Sequence, residues 1–210
     1  EVVARVSGES AEEYLIEHVL APVGMTRTTW TAEKPAAAGY LVHPYTDVPR
    51  LQPVIEGRAV APAAELWSTA EDLCRWAAFI ADPDPAVLSR ETVEEMSAFQ
   101  SMVDLTKWRL GYGLGFALYR SGDDLFIGHD GAHAGYLGHV SAFPPKRTGA
   151  AVLTNDGAGV TISALGIELS RAVADAYRPV KAEWRPGEAP PPELEGVLGQ
   201  WFSEGHPIVF

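Results

Sequence analysis

The sequence is short of cysteine, of basic residues and of long apolar runs. Its 210 residues include one cysteine, Cys74, which excludes an intrachain disulfide. Lysine and arginine number 16 against 28 acidic residues, and the formal net charge of −12 argues against nucleic acid or anionic membranes as partners. No run of 18 apolar residues occurs, so no membrane span is predicted. What remains is a globular chain whose 47 % apolar content suffices for one substantial core.

Helical patterns begin early and are interrupted by a long irregular stretch. Ser10 followed by Glu13 predicts a capping box, and Pro22 is expected to end that helix near residue 21. Residues 26–65 contain five prolines and predict a long excursion without regular structure. Because loops of this length usually border or cover a site, we expect the excursion to help shape one.

Two further helices are predicted before residue 101. Residues 68–72, Ser-Thr-Ala-Glu-Asp, indicate a second capping box, and Ser89 is the expected cap of a helix that runs to about residue 100. Cys74 falls within the first of these helices, and we expect it to be a small core residue rather than a nucleophile. The expected buried stripe of that helix is Leu73, Trp76, Ala77 and Ile80.

The apolar period changes from helical to alternating at about residue 110. Antiparallel strands are predicted at residues 110–119, 125–128, 136–143 and 149–154. A final helix follows, whose inward side is expected to hold Ile162, Leu165, Leu169, Val173 and Ala176. Helices, then a strand meander, then a closing helix predict an α+β fold with an antiparallel sheet flanked by helices.

The end of the chain differs in composition from the rest. Residues 178–193 are rich in proline and charge and predict a linker after a domain at residues 1–177. Residues 194–210 resume an apolar pattern and are expected to open an additional β module. The chain begins without methionine in a helical pattern and stops in a strand pattern, so we expect both ends to be interior to a longer protein.

The most informative stretch is residues 128–136, Gly-His-Asp-Gly-Ala-His-Ala-Gly-Tyr. It lies where one predicted strand ends and the next begins, and its small residues would let a ligand approach the main chain. Backbone N–H groups beside an imidazole suit the stabilisation of an oxyanion in acyl transfer. No nucleophile motif accompanies this stretch, which therefore predicts half of an active site.

Five segments resemble, in order, the serine β-lactamase and penicillin-binding-protein superfamily. The resemblance is to the class C-like branch, which includes esterases and D-amino-acid peptidases, and it covers about residues 1–177. The segments are residues 14–28 (a PLGM-x-x-T-like segment), 66–73 (Leu-Trp-Ser-Thr-Ala-Glu-Asp-Leu), 111–116 (similar to YGLGF), 129–131 (the His-x-Gly form of the third motif) and 152–155 (Val-Leu-Thr-Asn).

The resemblance implies a serine hydrolase that cleaves an amide or ester through an acyl-serine. Members use a Ser-x-x-Lys nucleophile motif and a Tyr-x-Asn motif, and neither occurs in these 210 residues. We therefore expect the chain to be the C-terminal portion of such a domain, inactive alone, with no cofactor. The expected partners are a small-molecule or peptide substrate and the missing N-terminal segment, or a swapped copy of this chain.

The resemblance also implies roles for the residues of the third motif. The backbone N–H of Ala132 is expected to be one of two oxyanion donors, and His129 to face the substrate or steady a proton relay. Asp130, Gly131 and His133 are the expected substrate-binding residues. Asp130 has two further interpretations, since it would orient His129 or simply terminate a strand.

Other interpretations of these residues remain open. His129 would otherwise be a strand-end histidine bonded to a nearby carbonyl. His129, His133 and His139 raise the possibility of a metal site, but no carboxylate or cysteine cluster completes a coordination shell, and no metal is predicted. The alternative function is a non-catalytic ligand-binding or regulatory protein on the same scaffold.

Overall fold

Six antiparallel strands form the central sheet in the order in which they occur along the chain. The computed structural model describes residues 1–176, apart from positions 44, 56, 58, 59, 105, 159 and 160, together with the backbone of residues 200–203 and 206–209. The strands of the sheet are β3 (Ser101–Met102), β4 (Leu110–Tyr112), β5 (Ala117–Ser121), β6 (Asp124–His133), β7 (Tyr136–Phe143) and β8 (Thr148–Thr154). The predicted α+β class with an antiparallel sheet is confirmed.

A turn divides the strand that was predicted at residues 110–119. The Gly113 amide donates to the Phe116 carbonyl, and Gly115 has a φ of +79°, a conformation that favours glycine. The chain therefore reverses between β4 and β5, and the prediction of one continuous strand is wrong. This reversal also fixes Ala117 as the first residue of β5.

Helices cover both faces of the sheet. The helical segments before the sheet are α1 (Val2–Ser7), α2 (Ala11–Leu15), a π-helix (Ile16–Leu20), α3 (Ala21–Val23), α4 (Ala61–Ala64), α5 (Ala70–Ala81) and α6 (Arg90–Met96), and α7 (Ile162–Ala176) follows β8. Helices α5 and α6 contribute Ile80 and Val93 to a cluster on one face. Ala174 of α7 packs with Phe126 and Phe143 on the other face. We call these the α5 face and the α7 face.

The helix caps follow the sequence more closely than the helix ends do. Ser10 and Glu13 form the predicted capping box. Thr69 accepts a hydrogen bond from the Asp72 amide, but the Asp72 carboxylate accepts from the Arg27 amide instead of completing a second box. The helical path that begins after Ser10 continues past Pro22, so the predicted end near residue 21 is wrong. It ends at Gly24, whose φ is +80°.

Three further expectations about helices are wrong. Helix α6 begins after Ser89 as predicted but ends at Met96, before residue 100. Cys74 is exposed because it lies on the solvent side of α5, whereas Ala77 and Ile80 lie on the opposite side and face the sheet. Helix α7 buries Gly166, Ser170 and Ala174, whereas the predicted inward residues Leu165, Leu169 and Val173 are exposed.

The chain divides into two compact units, residues 1–177 and 178–210. Residues 178–193, the predicted linker, lie outside the described residues. The described part of the second unit is one antiparallel hairpin of β9 (Gln200–Ser203) and β10 (His206–Val209), and the predicted β module stays a prediction. In the first unit, β1 (Tyr40–Val42) and β2 (Pro49–Leu51) form a separate two-stranded sheet within the predicted excursion. Among the described residues, no helix is long and apolar enough to cross a bilayer.

Candidate active site

Strand β6 extends five residues beyond the start of its neighbour β5. The last pair between these strands joins Ala117 to Gly128. Pairing with β7 continues to the pair of His133 with Tyr136. Within the described part of the chain, residues 129–133 therefore pair on one side only, and we call them the outer segment of β6. Their other side is an open margin of the sheet.

The two hairpin turns determine which backbone groups face this margin. Both loops contain two residues, so Ser121 pairs with Asp124 and His133 pairs with Tyr136. Residues that flank a two-residue loop exchange both of their backbone hydrogen bonds, and the pattern alternates from there. Even-numbered residues of β6 therefore direct N–H and C=O toward β5, and odd-numbered residues toward β7. The N–H groups of Asp130 and Ala132 consequently face the open margin.

The imidazole of His129 lies along the same margin. Its Nδ1 is 2.6 Å from the carbonyl oxygen of Asp130, and its ring centroid is 5.9 Å from that of Tyr112. Because a carbonyl oxygen only accepts hydrogen bonds, Nδ1 is the donor and Nε2 is left for another partner. The ring is exposed. His129 is thus bonded to a neighbouring carbonyl, as one interpretation predicted, and its ring lies on the margin that the Ala132 N–H also faces.

The carboxylate of Asp130 lies on the α7 face, opposite to the side chain of His129. Its Oδ1 is 2.6 Å from Nδ1 of His139, and His139 is 1 % exposed. Within the described residues, the only hydrogen bond between His129 and Asp130 is the one that the His129 ring donates to the Asp130 main-chain carbonyl. The substrate contact predicted for Asp130 stays a prediction, and the strand continues past it to His133.

Two pKa shifts belong to this group of side chains. Partial burial raises the pKa of the Asp130 carboxyl, but the hydrogen bond from His139, with a contribution from the Tyr119 hydroxyl, holds it below its usual value. Burial, and after it the Asp130 carboxylate, raises the pKa of Tyr119. Asp130 is therefore an anion at neutral pH and Tyr119 a neutral hydroxyl.

Gly131 and His133 complete the outer segment. An ideal Cβ on Gly131 would meet nothing nearer than the Gly138 carbonyl oxygen at 3.9 Å, so the main chain is open to a ligand here. His133 shares the α5 face with His129, about 13 Å along the strand at ~3.3 Å per residue. His139 lies on the opposite face. The three histidines therefore do not converge on a single ion.

Among the described residues, one group of potential metal ligands has mutual spacing suited to an ion. It consists of Glu9, Glu17 and His18, in the first helices of the chain, where Glu17 and His18 are exposed. None of its members belongs to the outer segment of β6.

The predicted excursion borders the end of the β6–β7 hairpin. The Tyr136 hydroxyl donates to the Ala37 carbonyl at 2.8 Å, and the Tyr40 amide donates to the Gly135 carbonyl at 3.2 Å. A Cβ on Gly135, whose φ is +82°, would lie 2.5 Å from the carbonyl carbon of Gly39. Glycine at 135 thus permits both the turn and the close approach of the excursion, whose expected part in shaping the site stays a prediction.

Sequence reasoning missed His139 and Tyr119 as members of this site. The signal for His139 was present, because the two-residue loop after His133 places residue 130 opposite residue 139. No comparable signal identified Tyr119, whose ring lies 5.2 Å from that of His139 and whose place depends on the β5–β6 register.

Known proteins resemble this chain in sequence pattern and in fold. A family model described as Beta-lactamase matches residues 1–175. No curated protein sequence matches the chain significantly.

Three solved structures illustrate the similarity of fold. An octameric penicillin-binding protein homologue from Pyrococcus abyssi superposes with a TM-score of 0.72 and 26 % identity, covering 83 % of this chain and 40 % of its own. A D-stereospecific amidohydrolase from Streptomyces sp. superposes with a TM-score of 0.65 and 17 % identity, covering 74 % of this chain and 47 % of its own. A Beta-Lactamase/D-Alanine Carboxypeptidase from Pseudomonas syringae superposes with a TM-score of 0.64 and 15 % identity, covering 85 % of this chain and 56 % of its own. The chain thus spans about half the length of these structures.

Proposed function

Because this chain belongs to the beta-lactamase family of hydrolases, we propose that it supplies one wall of the active site of a serine hydrolase. The reaction is cleavage of an amide or ester through an acyl-serine intermediate. The nucleophile belongs to a Ser-x-x-Lys motif outside these 210 residues, and a Tyr-x-Asn motif accompanies it. Cleavage needs no cofactor in this proposal.

The observation that supports this proposal is the open margin of β6. It offers the Ala132 N–H, the imidazole of His129 and the bare main chain of Gly131 side by side. An acyl-transfer site needs an N–H donor where negative charge develops and enough room for the substrate carbonyl to reach it. Both requirements are met where β5 has ended.

Each residue of the margin has a part in the proposed reaction. The serine oxygen attacks the carbonyl carbon, and the carbonyl oxygen becomes an oxyanion that accepts from the Ala132 N–H and from the N–H of the serine. The C–N or C–O bond then breaks, the leaving group departs with a proton, and water hydrolyses the acyl-serine. His129 bonds the substrate or the proton relay through Nε2, whereas Gly131 and His133 line the path of the acyl group.

The proposed substrates are only some of the amides and esters that an acyl-serine reaction can cleave. We favour D-amino-acid amides and peptides or small esters over β-lactams. Support comes from the D-stereospecific amidohydrolase and the carboxypeptidase whose folds this chain shares, and from the imidazole at the first position of the His-x-Gly motif.

Covalent labelling tests the proposal on the complete product of the gene. A fluorophosphonate or penicillin probe should add its acyl or phosphonyl mass to one serine, and His129→Ala should slow labelling at least tenfold without unfolding the protein. The matched control is His133→Ala, four residues along the same face, with a smaller effect. A complete protein that contains Ser-x-x-Lys and takes up neither probe would exclude the enzyme. Reversible binding without labelling would indicate the ligand-binding alternative.

A further inference from the structure

Asp130 of the outer segment of β6 and His139 of β7 form a hydrogen-bonded side-chain contact. They are directly opposite each other in the β6–β7 pairing, at a position where the backbones exchange no hydrogen bonds. Side chains approach most closely at such positions. The Oδ1–Nδ1 distance of 2.6 Å is that of a strong, charge-assisted hydrogen bond.

The ring of His139 has little freedom to move. Tyr119 packs edge-on against it at 5.2 Å between centroids. A Cβ on Gly166 of α7 would lie 2.0 Å from its Cδ2, so the helix backbone touches the imidazole where glycine stands. Asp130 is thereby bonded to a side chain that is fixed from two sides by the core.

The protonation of the ring also favours this contact. Nε2 of His139 is buried, and no hydrogen-bond partner for it is present among the described residues. An N–H at Nε2 would be buried without an acceptor, which favours the tautomer with the proton on Nδ1. That tautomer is the one that donates to the Asp130 carboxylate.

The place of this contact along the strand gives it a consequence. At Ile127 and Gly128, β6 pairs with both β5 and β7. Within the described residues the outer segment has no strand on its β5 side, so its backbone pairs with β7 alone, and the Asp130 side chain adds a contact to the core. Ala132 lies two residues beyond Asp130, and its N–H faces the same margin.

We infer that Asp130 and His139 are positioning residues, which hold the outer segment so that the Ala132 N–H stays directed at the substrate carbonyl oxygen. The catalytic part of this inference rests on the proposed function. Asp130 then acts from the face of the sheet opposite to the substrate, rather than by touching it. Misplacement of a reacting group by about 1 Å is enough to cost about 100-fold in rate.

Three variants of the complete gene product test this inference. His139→Leu removes the donor and should lower the acylation rate constant about 10- to 100-fold while substrate affinity changes less than about twofold. His139→Asn keeps an N–H near the position of Nδ1 and should restore most of that rate. The control is Ser141→Ala, which removes an equally buried polar contact, 3.0 Å to Ser170. Ser141 lies opposite Gly128, at the last residue that β5 also holds, and its loss should leave acylation unchanged.

A second measurement reports on the strand itself. The amides of His129 and Gly131 bond to β7, and their hydrogen exchange should accelerate at least tenfold in His139→Leu but not in Ser141→Ala. Normal acylation and normal exchange in a folded His139→Leu variant would overturn the inference, as would equal losses in Ser141→Ala. If the wild-type protein is not acylated at all, the proposed function falls, and the exchange measurement alone decides whether the pair holds the strand.

Discussion

Strand β6 has two parts with opposite surroundings. Residues 124–128, its inner segment, all pair with β5, Ile127 and Gly128 pair with β7 as well, and Phe126 is fully buried. The outer segment pairs on one side, and four of its five residues are exposed. The boundary is set by the turn before Ala117, because β5 begins only at Ala117, opposite Gly128. Strand β7 begins at Tyr136, opposite His133, and so pairs with the whole outer segment. One strand thus contributes to the core at one end and offers free backbone groups at the other.

This difference separates stability from chemistry along ten residues. Burial of apolar surface in the inner segment stabilises the fold, whereas the outer segment contributes little burial. Within the described residues no strand pairs with its β5 side, so the N–H groups of Asp130 and Ala132 are available there. A site built in this way is rigid where β6 is fully paired and accessible where it is not.

The largest expected effect comes from emptying the core beneath the inner segment. Phe126→Ala removes a ring that stacks on Phe143 at 4.7 Å, and it should lower the free energy of unfolding by about 3–5 kcal/mol. His129→Ala, in the outer segment, should change it by no more than about 0.5 kcal/mol. Urea denaturation of the two variants measures both values. Similar losses in the two variants would contradict the division of β6.

A glycine-to-alanine pair sharpens the same comparison. A Cβ on Gly128 would lie 1.9 Å from the Val140 carbonyl oxygen and 2.8 Å from the Ser141 Cα, backbone atoms that move only if β6 and β7 part. Gly128→Ala should therefore cost at least about 1–3 kcal/mol. Gly131→Ala places its Cβ in open space and should stay within about 0.5 kcal/mol. Thermal unfolding of both variants is the measurement, and a tolerated Gly128→Ala would show that the strands are less tightly apposed.

The smallest expected effect is the pH dependence of the Asp130 contact. Because the pKa of Asp130 is held below its unfolded value of about 3.9, the unfolded chain binds the proton more readily. The stabilisation is complete above the unfolded pKa and is lost as pH falls through the folded one. Wild type should have the larger free energy of unfolding at pH 6, and its advantage over Asp130→Asn should shrink as the pH falls below about 3.9. In the His139→Leu background, this pH-dependent difference in unfolding free energy should be smaller. A difference of the same size would assign the pH dependence to other groups.

The sequence predicted the local features of this fold well. The capping box of Ser10 and Glu13, the cap at Ser89 and the strand at residues 136–143 are confirmed. Each depends on residues that are close in the chain, so that neighbouring side chains and the period of two are sufficient evidence. The family resemblance, carried by motifs of the same local kind, is also confirmed.

Helix α7 shows where such reasoning fails. Its most apolar stripe, Leu165, Leu169 and Val173, is exposed, whereas the side against the sheet carries Gly166 and Ser170. The reason is the sheet beneath it: His139 fills the space at Gly166, and Ser141 bonds to Ser170. A helix that must approach polar, bulky strand residues buries its small side chains, and periodicity alone does not reveal this.

The sequence by itself determined the caps at Ser10 and Ser89, the strand at residues 136–143, and which motif carries the candidate chemistry. The tertiary structure decided that the pairing of β6 with β5 stops at Gly128, that Asp130 bonds to His139, and which side of α7 is buried. The physical reason is that local backbone conformation depends on adjacent residues, whereas burial and free hydrogen-bonding groups depend on which strand or helix lies alongside. An open N–H is the absence of a neighbour, and only the assembled sheet shows it.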